Sequence, residues 1–160
     1  MFVFNYEGNL TQKLAYATSF DLFVNGEVIN KNKTTKEFET YLSLVKTLFQ
    51  NSRLMPAFGV SLHDETLNAL NDGTWLQINF EKSLNENGLP FESLLFKLEK
   101  TGGINLIRKH NNRYEGRCVF LDFNNEIDLI EFFNISWQKR VNVIKLYQQF
   151  NKQKVCEIAF

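Results

Sequence analysis

The sequence predicts one α+β domain over residues 1–160, with a largely antiparallel sheet and three to four helices packed on it. Three observations carry this. An Asn-Gly pair sits between two apolar alternating runs near residues 15–30. A meander of short-connected strands follows over residues 91–123. Between and after these lie segments with three- and four-residue apolar spacing.

Phe2–Tyr6 reads as a first strand, followed by a longer extended stretch in which Phe20, Leu22 and Val24 alternate with Asp21 and Phe23. Asn25-Gly26 separates it from Glu27–Asn30, and both turn positions of such a hairpin require positive φ. A helix is predicted from Thr34 to about Gln50. Thr34 and Glu37 have capping-box spacing, and Phe38, Leu42, Val45, Leu48 and Phe49 form its apolar stripe.

Pro56 and Gly59 break regular structure before a short helix over Ser61–Leu70, capped by Ser61 and Asp64 and ended by Asn71-Asp72-Gly73. Trp75–Phe80 reads as a strand and Lys82–Pro90 as a polar loop. The meander strands are Phe91–Lys100, Ile104–Lys109 and Tyr114–Phe123, joined at Gly102-Gly103 and at His110-Asn111-Asn112-Arg113. Asn125–Phe133 and Ser136–Phe150 read as helices, and Val155–Phe160 as a closing C-terminal strand.

Composition narrows the function classes. Eighteen Lys and Arg balance eighteen Asp and Glu, so no global field favours nucleic acid or an acidic membrane. No apolar run approaches the roughly 20 residues of a membrane-spanning helix, and the N-terminus lacks the pattern of a signal peptide. Cys118 and Cys156 both lie in apolar runs and read as buried free thiols. A cytoplasmic protein is expected. The abundance of Asn, Lys, Phe and Ile points to an AT-rich genome, as in a low-GC bacterium or its phage.

Phosphate-cradling glycine loops, the G-x-S-x-G elbow, C-x-x-C and H-E-x-x-H do not occur. No catalytic residue, metal ligand or cofactor is therefore assigned. His63-Asp64-Glu65 could seed a dispersed catalytic site, but neighbouring helical residues diverge and the acids suit a helix first turn. Arg108, Lys109, His110, Arg113 and Arg117 flank one turn and form a candidate anion-binding hairpin, with Tyr114 as a stacking surface for a base. The competing reading is a solvated hairpin whose charges protect an edge. Gly116 marks a bulge. Phe132, Trp137 and Tyr147 are candidates for a partner surface or for core.

These patterns favour a non-enzymatic interaction module, such as an inhibitor, immunity or accessory factor, binding another protein or itself. The alternatives are nucleic-acid association through residues 108–117 and an enzyme with a site near His63.

Overall fold

The computed structural model describes residues 7–55, 59–86 and 88–133. These residues form a single α+β domain around a seven-stranded, antiparallel sheet of order β2-β1-β5-β6-β7-β9-β3. The expected strand at 2–6, the helix at 136–150, the C-terminal strand and the break at Pro56 lie outside the described residues.

The chain enters through α1 (Glu7–Lys13) and a 3-10 turn (Leu14–Tyr16), where extended structure was expected. Leu10 and Leu14, one helical turn apart, are buried in the core, and Lys13 pairs with the buried carboxylate of Glu86. Strands β1 (Ala17–Val24) and β2 (Glu27–Asn32) then form the expected hairpin. Asn25 and Gly26 both adopt positive φ, at 49° and 89°.

Helix α2 (Lys36–Gln50) buries Phe38, Tyr41, Val45, Leu48 and Phe49. The capping box is not formed. Thr35 is the N-cap residue, and the Asn32 side chain accepts the Thr34 N–H at 3.0 Å, so a turn built on Asn32 replaces the cap. Strands β3 (Arg53–Met55) and β4 (Val60–Ser61) precede α3 (His63–Ala69). Ser61 does not cap α3; its hydroxyl is 3.2 Å from the Tyr114 carbonyl oxygen and donates across the fold.

Within the predicted loop at 82–90, residues 82–86 and 89–90 are strand. β5 (Thr74–Glu86) and β6 (Leu89–Lys97) continue pairing through Leu84–Phe91 and Glu86–Leu89, with Gly88 in the turn at positive φ. Lys82, Ser83 and Asn85 keep their polar side chains exposed, and buried Glu86 is paired with Lys13. Gly102-Gly103 lies inside β7 (Lys100–Lys109); the chain reverses one step earlier, at Leu98-Glu99. A Cβ on Gly103 would stand 2.5 Å from Phe120 Cζ and 2.6 Å from the Leu121 oxygen, so this glycine serves close approach, not turning.

Strand β8 (Gly116–Arg117) leaves the main sheet to pair with β4, and β9 (Val119–Asp128) returns to β7. Gly116 takes a φ of 110°, but its pairing with Ser61 shows no register shift, so the expected bulge is not formed and the glycine serves its positive φ instead. Residues 125–128 are strand, not helix, because Ile127 and Asp128 pair with Thr101 and Lys100. Only α4 (Leu129–Phe132) is helical, with the Asp128 carboxylate accepting the Glu131 N–H.

One sheet face carries Phe20, Leu22, Leu76, Ile78, Leu94, Phe96, Leu106 and Leu121 and is buried beneath residues of α1, α2 and α4. The opposite face is covered only in part, by α3 and the segment 110–117, around Leu70, Leu95 and Tyr114. Among the described residues no helix is long and apolar enough to cross a membrane.

Candidate functional site

The basic hairpin is built as the sequence suggests but presents fewer charges. His110 and Arg113 bridge, and Asn111 and Asn112 take positive φ of 51° and 62°, which closes a tight turn. Glu92 on β6 accepts the Asn112 N–H at 2.9 Å and fastens that turn to the sheet.

Arg108 points inward. Its Nε donates to the Arg117 carbonyl at 2.7 Å and its Nη1 to the Pro90 carbonyl at 2.6 Å. Burial pulls its pKa below the ordinary guanidinium value. Gly116 leaves the room for it, since a Cβ there would lie 2.8 Å from Nη2. Arg113 is exposed and paired with Glu115. Lys109 is half-buried, with Nζ 5.2 Å from the centre of the Tyr114 ring. His110 is half-buried, and Arg117 is exposed.

Tyr114 offers no stacking surface to a base. It is 4% exposed, its hydroxyl donates to Gln77, and its ring stacks on His63 at 5.9 Å between centroids. Burial, foremost, pushes its pKa up to about 12. His63 Nδ1 accepts the Tyr114 backbone N–H at 3.0 Å, tying α3 to the hairpin. Among the described residues no three His, Cys, Asp or Glu side chains stand together as a metal site. Cys118 is a buried free thiol beside Ser61, and burial raises its pKa.

Phe132 is half-buried and packs edge-on against Phe133, whose ring is fully buried with Tyr41 and Phe96. Trp137 and Tyr147 lie outside the described residues.

The partly covered sheet face carries features that sequence reading passed over. From Tyr114 a polar chain runs across it: Gln77 donates to Asn79 at 2.8 Å, and Asn79 donates to Ser19 and Asp21 at 3.0 and 2.9 Å. Ser93 and Asn30 join it through Asn79 and Asp21. Beside this chain lies an apolar row in register, Val28–Phe23–Trp75, with Lys97 next across β6. Val28 is 55% exposed, and Phe23 and Trp75 are half-buried.

The row ends at a cleft. Pairing of β6 with β7 stops at Leu95–Ile107, while Leu98 keeps its bond to the Thr74 carbonyl and holds β6 against β5. The strands splay, opening a cleft of about 420 Å³ walled by Trp75, Ile104, Ile107 and Phe120. Lys97, Glu99, Thr101 and Asn105 form its polar lining, and Lys97 and Glu99 stand 3.7 Å apart. The available sequence signal was the alternation Trp75-Gln77-Asn79 against Leu76-Ile78-Phe80, which puts an aromatic side chain opposite the core face.

No family model, curated protein or solved structure matches the chain.

Proposed function

We propose that the protein is a non-enzymatic interaction module that holds a segment of a partner protein on the partly covered face of its sheet. An apolar side chain of that segment fills the cleft beside Trp75. The observation that carries this reading is the cleft itself, placed where the half-exposed row Val28–Phe23–Trp75 ends. At about 420 Å³ it falls within the range of about 300–1,000 Å³ typical of ligand sites. Aromatic walls within a polar rim are the composition that protein interfaces favour. The balanced charge and the two cysteines in apolar runs support a cytoplasmic setting, and the Asn- and Lys-rich composition supports a bacterial or phage source.

The test is affinity capture from native lysate with the wild-type chain and Trp75→Ala as baits, each washed at low and high salt. A stoichiometric protein that survives high salt on the wild-type bait and is lost from Trp75→Ala supports the reading. Equal recovery on both baits would remove the cleft from it. Nucleic acid that leaves at high salt would instead favour binding through Lys109, His110 and Arg117. Recovery of nothing turns attention to a small-molecule or catalytic role near His63.

A further inference from the structure

Among the described residues β2 is an edge of the seven-stranded sheet. In a two-residue hairpin the pair flanking the turn, here Val24 and Glu27, exchanges both backbone bonds, and bonded pairs then alternate. Glu27, Ile29 and Lys31 therefore aim their backbone groups at β1. Val28 and Asn30 aim theirs away from the sheet. Side chains alternate as well: Ile29 packs on the core, Lys31 reaches Glu37 at 3.6 Å, and Val28 and Asn30 lie on the opposite face.

Charged residues on an edge strand usually obstruct further pairing. On β2 they are placed differently, because Glu27 and Lys31 stand two residues to either side of Ile29. We infer that β2 is a self-complementary edge that pairs antiparallel with β2 of a second copy, about a two-fold axis at Ile29.

That register satisfies every outward group of the central strand. Val28 lies opposite Asn30 of the second copy, and the reverse, so their outward N–H and C=O groups form the bonded pairs. Glu27 lies opposite Lys31 of the second copy twice, in the unbonded positions where side chains approach most closely. Ile29 meets its own counterpart. Shifting by two residues toward the turn sets Glu27 against Ile29 and Lys31 against Asn25. The opposite shift sets Lys31 against Ile29 and carries Glu27 past the end of the strand at Asn32. Of these registers, only the one centred on Ile29 keeps both charge pairs within the strand. Such an interface closes on itself, giving a dimer whose two sheets join into one. It extends the row Trp75–Phe23–Val28 to Asn30 of the second copy and covers the exposed Val28.

The test is the mass in solution, by sedimentation equilibrium from micromolar to sub-millimolar protein. The wild-type chain is expected to associate to twice its mass. Glu27→Lys and Lys31→Glu each place like charges opposite one another and are expected to weaken association by about tenfold or more. Mixing those two variants restores opposite charges at all positions and is expected to restore association as a heterodimer. Asn30→Pro removes one outward N–H without touching the β1 ladder, and is expected to give a folded monomer by circular dichroism. A wild-type chain that stays monomeric throughout, or charge variants that associate as well as wild type, would overturn the inference. Trp75→Ala leaves the edge intact and is expected to dimerise normally, so this inference and the cleft reading fail separately.

Discussion

The two faces of the sheet are built on the same strands and do different work. On one face Phe20, Leu22, Leu76, Ile78 and Phe96 are fully buried under helices. On the other, the residues that alternate with or flank them in sequence are Asp21, Phe23, Trp75, Gln77 and Asn79, a mixture of hydrogen-bonded polar groups and half-exposed aromatics. A period of two separates these roles without any change of backbone. The first face supplies stability through area removed from water. The second leaves aromatic and polar surface accessible, and it holds its covering segment by a few specific bonds instead of a continuous apolar layer.

That contrast can be broken at three points of decreasing cost. Phe96→Ala, on the buried face, is expected to destabilise by about 3–5 kcal/mol in denaturant unfolding, because its ring packs at 6.1 Å from Phe133 within a closed core. A loss below 1 kcal/mol would mean that this face is not the principal source of stability.

Arg108→Met is expected to cost about 2 kcal/mol by leaving the carbonyls of Pro90 and Arg117 without their buried donor. Arg117→Ala, whose side chain is exposed, is expected to stay within about 0.5 kcal/mol of wild type. Equal effects of the two would refute the division between inward and outward cations in the hairpin.

Tyr114→Phe, which removes the link between the covering segment and Gln77, is expected to cost about 1 kcal/mol at neutral pH. It also has a pH signature. The folded protein holds the phenol's proton more tightly, its pKa rising from 10.0 to about 12, so the folded state binds more protons than the unfolded state between those values. Stability is thus expected to fall as pH rises from 10 to 12 in the wild type, and Tyr114→Phe should flatten that part of the curve. Parallel curves for the two proteins would contradict the assignment.

Legibility in the sequence followed the range of the forces involved. Asn25-Gly26 was readable because its positive φ values are a local requirement. The stripe of α2 was readable because one helix face meets one core. Thr34 and Glu37 misled because Asn32, outside the pattern, competes for the same amide. Gly102-Gly103 looks like a turn, but Gly103 is small to admit Phe120, which is distant in sequence. Residues 125–128 carry helical spacing, yet pairing with β7 overrides it. At the site, charge was readable and direction was not. Arg108 differs from Arg117 through carbonyls that only the fold brings to it. The cleft beside Trp75 arises from a ladder that stops early, and nothing in the residues of β6 alone announces that.

The burial of Cys118 has a practical consequence. Its sulfur lies where β8 pairs with β4, and its backbone N–H donates to the Gly59 carbonyl, so a reagent reaches the thiol only when that small two-stranded unit detaches. In a Cys156→Ser background, the rate of thiol labelling would therefore act as a clock for local opening. Labelling that accelerates well before global unfolding, as denaturant is raised, would identify the two-stranded unit as a separately opening part of the molecule. Labelling that tracks global unfolding would show that it opens only with the main sheet.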